Sequence, residues 1–173
     1  QWHVCFSTWF VVLWTLCVLP SLSSADIWDC TSANPQSDGD FDLPQDCTMT
    51  SAGVTLMNNL AITGDASLTT ITAKPSGDRR HFYVDSGRTL TLKWLNLTGG
   101  SETNGGSIYV KGTGSTLHAS YCVIHGNTAD QYGGGVYSKD GSVQLYHSNI
   151  TGNTAGRGGG GVYSTEGSMV VQG

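Results

Sequence analysis

Charge is scarce in this sequence. Only 12% of its 173 residues are Asp, Glu, Lys or Arg, and there are only 4 prolines. A disordered chain carries more charge and fewer Val, Ile, Leu and aromatic residues, so the composition excludes disorder and leaves an ordered, turn-rich domain. Positive charge is scarcest: 8 Lys and Arg stand against 13 Asp and Glu, for a net charge of -5. That balance excludes a surface built to hold phosphates, and no nucleic-acid partner is expected. Long apolar runs are missing as well. The most apolar stretch, Trp9 to Leu19, is 11 residues long, against the roughly 20 that a membrane-spanning helix needs. No segment carries a helical period of useful length.

The short apolar stretch fits the h-region of an export signal. It is followed by Pro20 and small residues, with Ser23 and Ala25 at the -3 and -1 positions of a cleavage site. Residues 1–25 are therefore expected as a signal peptide cut before Asp26, with an uncleaved anchor as the alternative. The first residue is Gln, and the last, in "GSMVVQG", falls inside a repeating unit, so the sequence is expected to be a fragment. Two tripeptides, "NLT" at Asn96 and "NIT" at Asn149, are glycosylation sequons. Both agree with a secreted or cell-surface location. Of the 5 cysteines, Cys5 and Cys17 lie in the signal segment. Cys30 and Cys47 bracket the polar run "TSANPQSDGDFDLPQD" and are expected to form a disulfide that ties down a segment with little core of its own. Cys122 is left as a small buried residue in a strand.

Glycine is abundant, at 24 residues, and it punctuates a repeat. "HGNTADQYGGGVYS" ends at Ser138, and "TGNTAGRGGGGVYS" ends 26 residues later at Ser164. Units begin at Phe82, Ile108, Val136 and Val162, spaced 26, 28 and 26 residues apart. Tyr83, Tyr109, Tyr137 and Tyr163 share a column. So do Leu97, Ile124 and Ile150; Leu92, Ala119 and Leu145; and Leu90, Leu117 and Val143. Gly87, Gly114, Gly141 and Gly167 are read as a further one. Within each unit apolar and polar residues alternate, the signature of a strand with one buried face. One unit cannot bury that face alone, but stacked units can. The expected fold is all-β: a single-stranded right-handed parallel β-helix with about 26–28 residues per coil. Residues 26–50 are expected to cap it and 51–173 to form its coils, truncated at the C-terminus. Asn127 and Asn153 align in "GNTA", where stacked amides can bond backbone or each other.

At these residues a resemblance enters. "GGSIYV", "GGGVYS" and "GGGGVYS", alternating with "IHGN" and "ITGN", resemble the repeats of polymorphic outer membrane proteins, which pair G-G-A-I with F-x-x-N. Ile124 or Ile150 stands at the Phe position, and Ser107, Gly135 or Gly161 at the Ala. The stretch from Leu60 to Gly100 resembles the opening coils of secreted, pectin-lyase-like β-helix proteins. The resemblance covers roughly residues 54–173 and implies a right-handed parallel β-helix. It implies little about activity, because that scaffold carries lyases, hydrolases, adhesins and surface stalks alike.

The chemistry of those enzymes needs clustered carboxylates, either to hold Ca²⁺ or to act as an acid–base pair. Here Asp38, Asp40, Asp42 and Asp46 lie in the N-terminal segment, and Asp85, Asp140 and Glu166 sit at turns. "DGDFD" lacks the Gly and the distal Glu of an EF-hand loop. "GDRRH", ending at His81, reads as a turn with solvated charges. His125 has no partner at metal-ligand spacing, and neither a phosphate loop nor a G-x-S-x-G elbow is present. The Thr-x-Thr element at Thr89 and Thr91 gives way to Thr116 and His118, then to Ser142 and Gln144, so no regular Thr array is expected. No catalytic residue, metal or cofactor is assigned. What remains is the Tyr column: with Val136 and Ser138 inward, Tyr83, Tyr109, Tyr137 and Tyr163 face outward. There they could serve as a platform for sugar rings or merely pack along the strands. The expected function is a secreted or cell-surface adhesin-like binding or structural module, possible partners being extracellular polysaccharide and cell-wall or cell-surface components. Membrane contact is expected only through a C-terminal anchor beyond residue 173. The alternative is a polysaccharide lyase or glycoside hydrolase whose catalytic coils lie outside the sequence.

Overall fold

Alternating residues can bury one face only if the chain returns above itself, and it does so at every coil. The computed structural model describes residues 26–30, 39–77 and 79–173. The export segment expected over 1–25 lies outside the described residues, as do 31–38. The fold is an all-β parallel solenoid of about 5 turns, with coils of about 26 residues and, among the described residues, no helix.

Four sheets form its sides. The first has seven strands: Asp26–Ile27, Gly39–Leu43, Leu60–Gly64, Thr89–Lys93, Thr116–Ser120, Ser142–Tyr146 and Ser168–Gln172. The second stacks Cys47–Thr48, Thr69–Thr72, Leu95–Thr98, Val123–His125 and Asn149–Thr151. The third stacks Val54–Thr55, Phe82–Val84, Ile108–Lys111, Val136–Lys139 and Val162–Thr165. A fourth begins two coils later with Ser101–Asn104, Thr128–Tyr132 and Thr154–Ala155. Every pairing is parallel, so each strand finds its hydrogen-bond partners in the coils before and after it rather than in its sequence neighbours.

The expected columns are in register. Tyr83, Tyr109, Tyr137 and Tyr163 pair in turn. So do the leucine-rich columns of the first sheet and the Leu97, Ile124 and Ile150 column of the second. Leu90, Leu92, Leu97, Leu117 and Ile124 are wholly buried, each worth about 2 kcal/mol of removed apolar surface. The glycine column is the exception. Thr89, Thr116 and Ser142 pair with one another. Counting back from them, Gly141 and Gly167 stand level with Ser115 and Arg88, one position away from Gly87 and Gly114. The corner between the third and first sheets varies in length from coil to coil. Counted between paired positions, the longest runs from Val110 to Thr116 and lies within the 28-residue spacing. A second irregularity, a shift of register between Glu102 and Asn104 against Ala129 and Tyr132, takes up the remainder.

The joints are held by close backbone packing and by polar side chains stacked from coil to coil. Gly134 packs so closely on the next coil that a Cβ there would strike the carbonyl oxygens of Thr154 and Gly160. At the corner between the second and fourth sheets, Asn127 Nδ2 donates to Asn153 Oδ1 at 2.9 Å and to Leu97 O at 3.1 Å, while Asn127 Oδ1 accepts from the Gly100 amide at 2.8 Å. The aligned asparagines thus form a ladder that also satisfies turn backbone. Ser107, at the Ala position of the repeat, hydrogen-bonds the His81 ring of the coil below at 3.0 Å.

His81 itself corrects the expectation of a solvated turn. The end of "GDRRH" swings inward and His81 is completely buried. Its Nε2 lies 3.1 Å from the carbonyl of Ile71. That nitrogen must donate, so Nδ1 accepts from Ser107, and the ring is neutral. Burial is the main cause that pushes its pKa down to about 4, against smaller opposing effects from the Ile71 and Thr98 backbone.

At the N-terminal end Trp28 packs on Phe82, ring centroids 6.3 Å apart, beside buried Leu43 and Met49. The Cys30–Cys47 disulfide forms as expected, across a separation of 17 residues, and a loop of that size contributes about 3 kcal/mol. Cys122 is a buried free thiol. Burial raises its pKa to about 11, which leaves it inert as a nucleophile. On the last coil Met169 and Val171 are 50% and 65% exposed, since no strand lies above them among the described residues.

Two outcomes follow for stability. Val136 is wholly buried, so Val136→Asp should cost about 4 kcal/mol or more, whereas Tyr137→Ala should cost about 1 kcal/mol. Denaturant midpoints of the two variants check this, and a stable Val136→Asp would reverse the assigned faces. For His81 the unfolded ring takes up a proton below about 6.5 and the folded ring only near 4. Stability is therefore fully present above pH 6.5 and is lost as pH falls toward 4, by up to about 3 kcal/mol. Unfolding curves between pH 7.5 and 4 should show that slope, and His81→Gln should flatten it.

Candidate functional site

On the third sheet, the inward partners of the tyrosines are Phe82, Ile108 and Val136, all wholly buried. Strand alternation then forces Tyr83, Tyr109, Tyr137 and Tyr163 outward, where each is half-buried. Successive ring centroids are 5.3, 4.8 and 5.9 Å apart. The rings touch, and they form one continuous aromatic strip along the solenoid axis. Tyr132, from the fourth sheet, widens it: its ring lies 6.4 Å from Tyr137 and 4.6 Å from Tyr163. Burial raises the Tyr109 phenol above its ordinary pKa, with the Tyr137 and Tyr83 phenols adding to it and Arg80 opposing. The Tyr109 hydroxyl is thus a neutral donor and acceptor at neutral pH.

At its N-terminal end the strip meets a charged clamp. Arg80 lies 5.8 Å from the Tyr83 ring centroid and 5.4 Å from that of Tyr109. Its Nη2 donates to Asn104 O at 2.7 Å and to Glu102 Oε2 at 3.3 Å, and its Nε donates to Gly105 O at 3.1 Å. Arg80, Glu102, Tyr83 and Thr55 line a depression of about 240 Å³ beside the ladder. Glu102 and Tyr132 belong to no column read in the sequence, and Arg80, expected as a solvated charge of the "GDRRH" turn, is instead drawn in against backbone and rings. Their one signal was Arg80's place beside an aromatic column, legible only once the coil register is known.

A second aromatic group stands at the corner between the first and second sheets. Trp94, Tyr121 and His147 occupy the same corner of three successive coils. Tyr121 lies 6.2 Å from Trp94 and stacks on His147 at 5.2 Å; Tyr146 adds a ring 5.9 Å from Tyr121. The Lys93 amine sits 4.0 Å over Trp94. The three corner residues have φ of +52°, +53° and +45°, following Leu68 at +73° one coil earlier. Bulky residues rarely adopt this left-handed conformation, and each costs about 1–2 kcal/mol there. The next corner gives the task to glycine: Gly99, Gly126 and Gly152 have φ between +61° and +78°. Burial does not offset the cost, since Tyr121 remains 42% exposed.

The remaining candidates lie apart. Asn96 and Asn149 are on the outer face of the second sheet, both opposite Val123. Asn149 is exposed; Asn96 is half-buried, its Nδ2 3.3 Å from Thr70 Oγ1. Thr91, His118 and Gln144 pair in turn, so the Thr array does not repeat. No group of three His, Cys, Asp or Glu residues placed to hold a metal occurs among the described residues.

The chain matches no known protein-family model, no curated protein and no solved structure.

Arg80 draws two backbone carbonyls, a carboxylate and two rings together, so its loss should be felt beyond its own position. Arg80→Ala is expected to destabilise by about 2 kcal/mol, with little recovery in Arg80→Lys, because an ammonium cannot fork among those acceptors. Chemical denaturation gives the stability, and near-ultraviolet circular dichroism reports the loosening of Tyr83 and Tyr109.

Proposed function

We propose that this chain is a secreted or cell-surface β-helix repeat protein, an adhesin-like binding and structural module, which takes extracellular polysaccharide or cell-wall material along its tyrosine ladder. On this reading its coils are kin to right-handed, pectin-lyase-like β-helices with repeats like those of polymorphic outer membrane proteins.

The observation that carries the proposal is the contiguous strip of outward tyrosines at 4.8–5.9 Å spacing. A rigid row of apolar faces edged with hydroxyls suits a polymer of rings that are apolar on their faces and polar at their rims. Pre-ordering by the parallel sheet adds to this, since little side-chain freedom is left to lose on binding. The depression at Arg80 and Glu102 closes one end of the strip with a donor and an acceptor that could fix the polymer's register. A ladder that served strand packing alone would give the same stacking but no retention on sugar polymers.

Retention on insoluble polysaccharide and cell-wall preparations distinguishes the two. Tyr109→Ala and Tyr137→Ala should each weaken retention about tenfold, the equivalent of about 1.4 kcal/mol, with only minor loss in a parallel thermal melt. Unchanged retention in both variants would sink the sugar platform and leave the ladder as packing.

A further inference from the structure

We propose that the aromatic corner of Trp94, Tyr121 and His147 is a seat for the protein's own N-linked glycan, carried on Asn149. The inference rests on the export reading above, since the modification belongs to the secretory route, but it is independent of the tyrosine ladder.

The sequence around the corner identifies the occupant. "WLNLT" and "HSNIT" are the same five-residue word: a ring at a left-handed corner, an inward residue, an outward Asn, an apolar residue, a Thr. Ring and sequon Asn are thus two residues apart in both coils. Between them, Tyr121 continues the stack of rings, and Val123 stands between the two asparagines in the sheet. Asn149 is the better acceptor. It is exposed, while Asn96 has a buried, unpaired Oδ1 and its Nδ2 turned toward Thr70. Lys93 covers Trp94, whereas Tyr121 and Tyr146 are each 42% exposed.

The chemistry is a glycosyl transfer. The Asn149 Nδ2 forms a bond to the anomeric carbon of a lipid-linked oligosaccharide, the carbon–oxygen bond to the lipid pyrophosphate breaks, and Nδ2 gives up one proton. The first sugar then lies with its apolar face against the His147 ring, which Tyr121 backs from the coil before. This explains why rings were kept at positions where glycine is the easier residue: their contact is with a group that is attached after synthesis.

The full chain, secreted by a eukaryotic host behind that host's own leader, provides the test without depending on the native export signal. Peptide masses should show Asn149 occupied. Thr151→Ala, which removes the sequon at an exposed position, should lower Tm by about 2–4 °C. In a His147→Gly background the same change should shift Tm by less than about 1 °C, and without the glycan His147→Gly should leave Tm unchanged or raise it, because the corner strain is relieved. Tyr121→Gly provides a second background for the same cycle. An unoccupied Asn149, or an equal Thr151→Ala shift with and without the rings, would overturn the proposal. Polysaccharide retention is not among these readouts, so failure of the ladder reading leaves them unaffected.

Discussion

The fold depends on the parallel backbone ladder between one coil and the next. A strand such as Thr116–Ser120 has no partner within its own coil; its amides and carbonyls are satisfied by Thr89–Lys93 on one side and Ser142–Tyr146 on the other. Because neighbouring strands lie about 4.8 Å apart, this ladder dictates side-chain spacing along the axis. Like residues are brought to contact distance whether or not they attract one another. The Asn127–Asn153 amide pair, the His81–Ser107 hydrogen bond and the tyrosine strip are three uses of that one constraint.

Energetically the coil has an inside that is nearly all apolar and an outside free to vary. The polar groups admitted inside are paired across coils or to backbone: His81 with Ser107 and Ile71, Asn127 with Asn153 and Gly100, Thr69 Oγ1 with Leu43 O at 3.0 Å. Trp28 Nε1 and Ser138 Oγ are buried without a partner, and nothing in the structure accounts for either. The corners carry the conformational strain. One places glycine in the left-handed region coil after coil, whereas the corner of Trp94, Tyr121 and His147 places large rings there.

The strands and their register were legible in the sequence because they repeat. An apolar residue at Leu90, Leu117 and Val143, or a Tyr at 83, 109, 137 and 163, declares both the face and the coil. The outward direction of the tyrosines followed from alternation alone. What lay hidden was non-periodic. Arg80 and His81 stand level with Gly106 and Ser107 of the next coil, residues of another type, so the pattern did not say that His81 would be buried and Arg80 clamped beside two rings. The left-handed corner was hidden for another reason: residue type signals that conformation when it is glycine, and Trp94, Tyr121 and His147 give no such signal. The supposed glycine column failed because equal spacing was assumed through corners whose lengths differ.

Those unequal corners have an evolutionary consequence. Inserting one residue within a strand would turn every following side chain to the opposite face, yet the longer corner from Val110 to Thr116 and the register shift opposite Thr128–Tyr132 leave the columns on both sides intact. Changes of length are thus quarantined at the bends. A gene encoding such coils can gain or lose codons there, or exchange one bend for a longer loop, while the inner columns keep count. The corners are the margin in which length can change, and the stacked strands are the chain's ruler.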